Sequence, residues 1–246
     1  MNSRLVKQIL YGTGYLATLF LIIFVVYLIW FKPAPTCFDG RQNQNETGID
    51  CGGSCSACEI KTLQTPETSW IKYFPADNQT IIAAEIKNPN LNYGADSFSY
   101  IIDIYDHKGA KIKSLAKNSF IYSGEIKYLI ELAEIDSKKI KEIKISFANF
   151  NWKSNEKFQK PIIQLREIKT EKTIVSGFLT NNNAFKLLKT RIIGLLYSRY
   201  GIMIGASKTE LENISAFEEK LFKINFPKNL EDIDQTKTKV YAEAIR

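Results

Sequence analysis

The run from Ile9 to Phe31, ILYGTGYLATLFLIIFVVYLIWF, holds 23 residues and no charge. A helix rising 1.5 Å per residue crosses a hydrocarbon core of about 30 Å in about 20 residues, so this run is long enough to span a bilayer. Gly12 and Gly14 weaken its first turns, whereas residues 16–29 are nearly all Leu, Ile, Phe and Val. Tyr11 and Tyr15 near one end, with Tyr27 and Trp30 near the other, suit the two interfacial belts. Leu16, Phe20, Phe24 and Trp30 are the expected anchor side chains. Pro33 and Pro35 then stop the helix, because proline cannot continue the hydrogen-bond ladder. Arg4, Lys7 and the α-amino group precede the run, and Lys32 with a mixed-charge stretch follows it. The positive-inside bias therefore puts residues 1–8 in the cytoplasm and everything after the span outside. A cleaved signal peptide fits less well, since the apolar region is too long and FKPAPT lacks a small-x-small site. Nor does APTC before Cys37 match a lipoprotein acylation box. An uncleaved single-pass anchor is the expectation, with the bilayer as first partner through residues 9–31.

The remainder has the composition of a folded protein: over the whole chain 45% of residues are hydrophobic and 24% charged. The net charge of +7 is concentrated distally, where residues 151–246 carry 17 basic and 11 acidic groups. That excess suits anionic headgroups or wall polymers, although a solvated face explains it equally simply. An extracytoplasmic position argues against nucleic acid as a partner.

All four cysteines, Cys37, Cys51, Cys55 and Cys58, fall within 22 residues just beyond the span, where disulfides persist. Their segment, residues 32–60, has no hydrophobic run able to form a core, so cross-links are its natural source of order. Four cysteines allow three connectivities, and the spacing selects none. Asp39, Asn43, Glu46 and Asp50 supply oxygen donors, with Gly40 and Gly48 permitting tight turns, so a calcium site is one reading. A turn-rich loop that binds nothing is the other. The spacing does not match the EF-hand loop. Four thiolates on zinc, or a redox pair at Cys55 and Cys58, are further alternatives. The string CFDGRQNQNETGIDCGGSCSAC resembles a short cysteine-rich element found in many microbial surface proteins, which implies location more than activity.

After a polar linker at residues 61–69, short β-type runs begin: Thr80–Ile86, Ser97–Tyr105, Phe120–Tyr122, Ile126–Leu132 and Ile143–Phe147. Residues 133–144 are ambiguous and suit a helical turn. The second half repeats the spacing of the first. Ala84–Asn88 answers Gly177–Asn181, Tyr100–Tyr105 answers Ile192–Tyr197, Gly109 answers Gly201, and Ser123–Glu125 answers Ala216–Glu218. Equal spacing of unlike sequence predicts duplication of one pattern, each copy long enough for a small seven-stranded sandwich. Strand-ending Asn, hydrophobic-Tyr, turn Gly and F-x-I-x-F together resemble the FxLYD-type β-sandwich, related to late-embryogenesis-abundant type-2 and fibronectin-III-like domains. The resemblance implies an all-β, Ig-like architecture of two tandem antiparallel sandwiches, residues 70–152 and 153–246. Such domains are mostly interaction or spacer modules of the envelope.

Catalytic signals are missing. The one histidine, His107, lies in a turn beside Asp106, and no motif pairs it with a serine. Neither H-E-x-x-H nor G-x-S-x-G occurs. Glu218-Glu219 and Asp232/Asp234 read as surface charge. The sequence thus predicts a non-enzymatic, membrane-anchored extracytoplasmic protein without a required cofactor, touching an envelope protein or polymer. A thiol-disulfide oxidoreductase using Cys55 and Cys58, or a calcium-dependent surface binder, are the rivals.

Overall fold

The structure, a computed structural model, describes residues 3–31, 36–227 and 230–245. It divides into two compact units, 1–62 and 63–246. In the first, helix α1 (Ser3–Val26) continues through a wider π-type turn at Tyr27–Phe31. The helix therefore begins six residues before the apolar run, taking in most of the segment expected as a tail. The prolines expected to end it lie outside the described residues. Beyond them stands the cysteine-rich loop, closed by a short 3-10 turn at Cys58–Thr62.

The second unit is all β. Its strands are β1 (Glu67–Ala76), β2 (Gln79–Lys87), β3 (Tyr93–Tyr105), β4 (Lys111–Ile121), β5 (Ile126–Ala133) and β6 (Glu142–Ser154). They are followed by β7 (Ile163–Glu171), β8 (Ile174–Asn181), β9 (Leu187–Tyr197), β10 (Met203–Ile214), β11 (Glu219–Asn225) and β12 (Lys239–Ile245). All pairings are antiparallel, in four three-stranded sheets ordered β1-β2-β5, β4-β3-β6, β11-β8-β7 and β10-β9-β12. Each half has six strands rather than the expected seven. β1 starts inside the segment read as linker, and β7, β10 and β12 have no counterpart among the runs expected from the sequence. β1 and β7 are edge strands; β7 is mostly polar and exposed, which blurs the alternation that sequence reading relies on, whereas β1 turns Trp70, Ile71 and Phe74 to the cores. The ambiguous stretch holds the expected turn, a 3-10 segment at Ser137–Lys139 capped by Asp136.

Alternation explains how the four sheets stack. In β2, Ile82, Ala84 and Ile86 face a core shared with Phe98, Ile102 and Ile104 of β3. In β9, Ile192 and Leu196 face a second core with Val175, Leu179 and Phe222. The intervening residues, Ala83 of β2 and Ile193 and Leu195 of β9, are buried too, in a third cluster with Phe74, Tyr128, Ile130 and Met203. Successive strand residues point to opposite faces, so these two central strands bury both faces. The sheets β1-β2-β5 and β10-β9-β12 therefore lie face to face, giving four layers with three apolar interfaces.

Both sandwiches use the same asparagine corner. Asn88, just past β2, donates from Nδ2 to the carbonyls of Tyr93 (2.7 Å) and Tyr122 (2.9 Å) and accepts from the backbone N–H of Asn90. Asn181 donates to Phe185 (2.8 Å) and Ser215 (2.8 Å) and accepts from the N–H of Asn183. A carboxylate completes each corner: Glu125 accepts the N–H of Tyr122, and Glu218 that of Ser215. Gly109 and Gly201 close the β3–β4 and β9–β10 turns at φ of 78° and 76°, a region open to glycine.

Candidate functional site

The helix offers its side chains to solvent all round. Across the 25 residues from Val6 to Trp30 the most apolar stretch has a mean hydropathy of 2.2, and none of it is buried within the protein. Leu16, Phe20 and Phe24 recur every four residues and so form one stripe; like Trp30, each is exposed. The hydroxyls of Thr13 and Thr18 donate back to the carbonyls of Ile9 (2.8 Å) and Gly14 (3.0 Å). The two threonine hydroxyls on this surface are thus met inside the helix, as hydrocarbon requires.

In the loop that follows, the four cysteines form two disulfides, Cys37–Cys55 and Cys51–Cys58, and none is free. Cys55 and Cys58 belong to different bridges, so the C-x-x-C pair is not a disulfide of its own and no thiolate is left for zinc. The motif's small and polar residues have structural reasons. Gly52 and Gly53 sit at φ of 81° and 59°, where an added Cβ would lie 1.9 Å from Thr47 Oγ1 and 2.2 Å from the Asn45 carbonyl oxygen. Asn45 and Asp50 also take left-handed backbone, which these two residue types tolerate.

Three of the four expected calcium ligands, the carboxylates of Asp39, Glu46 and Asp50, serve as turn acceptors. Glu46, only 6% exposed, accepts the N–H groups of Asn43 (3.2 Å) and Asp50 (3.1 Å) through Oε2. Asp50 accepts the N–H of Gly40 through both oxygens. Asp39 accepts from Asn43 Nδ2 (2.8 Å) and the Arg41 N–H (2.9 Å), and the Asn43 bond first of all holds its carboxyl below the usual range. Among the described residues, the Cys, His, Asp and Glu groups close enough to share an ion are Cys37, Glu46 and Cys55. Two of those atoms are disulfide sulfurs, and Glu46 Oε1 rests 3.1 Å from one of them. The oxygens therefore do not converge as a hard cation needs. One atom stands apart: Asn43 Oδ1 is buried without a hydrogen-bond partner.

In the β unit, ionic groups collect where the two halves meet. Lys127 of β5 is fully buried and pairs with Glu243 of β12, and its ammonium lies 3.9 Å from the centre of the Phe120 ring. Burial pulls Lys127 below the ordinary lysine range, opposed by Glu243. Glu243 also accepts from Arg191 (2.9 Å), which bonds Glu210 in turn. Burial alone would lower Arg191, but Glu243 and Glu210 outweigh it and raise it. Glu131 accepts from both Tyr100 (3.0 Å) and Lys208 (3.0 Å), the latter from the other half. The Tyr122 hydroxyl donates to the Ala244 carbonyl (2.6 Å). None of these bonds was singled out from sequence, because the partners lie 19 to 122 positions apart.

The turn histidine lines an open groove. A groove of about 810 Å³ is lined in part by Asn78, Asp106, His107, Glu134 and Asp136. There His107 Nε2 lies 3.2 Å from the Lys138 carbonyl, and Asp106 accepts the N–H groups of Lys108 and Ala110. Asp106 is a turn residue, and no serine or cysteine faces the imidazole among the groove's lining.

No protein-family model matches this chain, and no curated protein sequence does. Among solved structures it is similar to red sea bream transglutaminase at 10% identity and a TM-score of 0.25, over 75% of this chain. The chain spans 32% of that protein's length. An overlap so low carries no argument about fold or activity.

Proposed function

We propose that this is a single-pass membrane protein whose β unit stands outside the cytoplasm and serves as a non-enzymatic interaction or structural module of the cell envelope. The observation that carries this reading is the uncovered apolar helix, with no part of its apolar stretch buried in the chain and both threonine hydroxyls internally bonded. The two disulfides support an oxidising compartment. Arg4 and Lys7 ahead of the span support the inward position of the N-terminus. Asn88, Asn181, Lys127, Arg191 and Glu243 of the β unit are engaged in corners and ion pairs, which fits a rigid scaffold with an envelope protein or polymer as partner, and not nucleic acid. Epitope tags at the two ends test the topology. The C-terminal tag is expected to bind antibody on intact cells, and the N-terminal tag only after permeabilisation. An inaccessible C-terminal tag, or release of the protein by alkaline carbonate, overturns the proposal.

A second reading, calcium-dependent binding at the cysteine-rich loop, rests on the partnerless Asn43 Oδ1. Calorimetric titration of the detergent-solubilised chain with Ca²⁺ tests it, and absence of both heat and thermal stabilisation ends it.

A further inference from the structure

We infer that the disulfide-linked loop is itself a membrane-surface element, with Phe38 and Ile49 entering the interfacial layer of the bilayer that holds the helix. The inference rests on the membrane reading above and adds a second contact to it. Phe38 is 92% exposed and Ile49 57% exposed, in a loop whose other large apolar contacts are its own disulfides. Neither lies on a slack segment. Phe38 follows Cys37, which is bridged to Cys55, and its N–H donates to Thr36 Oγ1 (3.4 Å). The Gly40 N–H, two positions on, is clasped by the carboxylate of Asp50, the neighbour of Ile49. The two apolar side chains thus flank one clasp, held in place before any lipid is met, which removes the ordering cost of docking.

Chain length supplies the occupant. Phe38 lies seven chain steps from Phe31 at the helix end, so at about 3.5 Å per step it stays within about 25 Å of it. A rigidly presented phenylalanine tethered so closely to a membrane-spanning helix finds lipid at high local concentration. Two cations stand near the pair, Arg41, and Lys61, whose ammonium donates to the Ile49 carbonyl (2.6 Å), while the adjoining carboxylates of Asp39 and Asp50 are turned onto backbone N–H groups. An aromatic and an aliphatic side chain beside basic groups is the chemistry of an interfacial contact, the apolar parts below the headgroups and the cations among them.

The test uses the full chain in phosphatidylcholine nanodiscs carrying bromine high on the acyl chains, which quenches indole fluorescence at shallow depth. Three proteins are compared: the parent, Phe38→Trp and Trp30→Phe. Non-reducing peptide maps first confirm that each keeps both disulfides. The expected result is that Phe38→Trp adds a blue-shifted emission component lost on bromination, and that Trp30→Phe removes a quenched component from the parent spectrum. A quenched Trp30 with an unquenched indole at position 38 overturns this inference while leaving the anchor intact. If bromination quenches neither, the membrane reading fails and the inference with it.

Discussion

Single side chains hold this protein's corners and its central junction. Replacing Asn88 with alanine removes the donor to the Tyr93 and Tyr122 carbonyls and the acceptor of the Asn90 N–H, and each buried group left unmet costs about 1–3 kcal/mol. Urea unfolding of the detergent-solubilised chain is expected to register a loss of several kcal/mol for Asn88→Ala. Asn88→Asp should be no better, because a carboxylate has no N–H to give. An unchanged midpoint for either variant would show the corner to be idle. Glu243 poses a sharper contrast. Glu243→Leu leaves Lys127 charged and fully buried, at a cost of about 3–5 kcal/mol, whereas adding Lys127→Met removes the stranded charge and restores most of the loss. Equal destabilisation by the single and double variants would contradict this account. The spacing of the asparagines was legible in the sequence, since each ends a β-type run and precedes a turn. Lys127 was not, because a lysine in IKYLIEL reads as solvent-facing until its partner 116 residues away is known.

At the scale of elements, the cysteine-rich loop depends on covalent closure, having almost no core. Cys37–Cys55 closes the longer loop, with a sequence separation of 18, and by chain entropy contributes about 3 kcal/mol; Cys51–Cys58, separated by 7, contributes less. Non-reducing peptide mapping is expected to return these two bridges, and a Cys55–Cys58 product would refute the connectivity. Gly52→Ala and Gly53→Ala place a methyl group against Thr47 and the Asn45 carbonyl. Either is expected to slow formation of the correct bridges during oxidative refolding, read as mixed disulfide isomers on the same maps. Gly40 and Gly48 were legible as turn formers beside the oxygen donors Asp39, Asn43, Glu46 and Asp50, whereas Gly52 and Gly53 were not singled out. The calcium reading came from the same residues, and it weakened once their oxygens were seen to accept backbone N–H groups.

For the molecule as a whole, the middle interface makes two sandwiches one body, residues 63–246. Calorimetry should therefore show a single β-unit transition with matching calorimetric and van't Hoff enthalpies, and two resolved transitions would count against a shared core. Stability should fall at both pH extremes. Asp103, Glu210, Glu218, Glu219 and Asp234 are all held below their ordinary values. For Glu210 burial works the other way, and the bonds from Lys189 and Arg191 outweigh it. A depressed folded value contributes stability above the unfolded value and loses it as pH falls through the folded one, so the acid limb lies below about pH 4. Tyr100 and Tyr122 are raised, first by burial and then by Glu131 and Glu125 respectively. Their contribution is present below the unfolded value and declines once pH passes about 10. A melting temperature flat from pH 9 to about pH 12 would overturn that assignment.

The sequence by itself determined whatever depends on neighbours along the chain. An uncharged run becomes a helix that no aqueous surface can satisfy, glycine and asparagine mark turns, and alternating β-branched residues become strands. The runs TIIAAEI in β2 and IIGLLY in β9 even carried the sign of burial on two faces, being continuous rather than alternating. What tertiary structure decided was which face meets which. The pairing of Cys37 with Cys55, the seating of Lys127 on Glu243 and the stacking of the β1-β2-β5 sheet on β10-β9-β12 each join residues that local pattern leaves independent. The physical reason is that burial rewards any apolar surface alike, and only the close packing of the folded chain selects one partner for each.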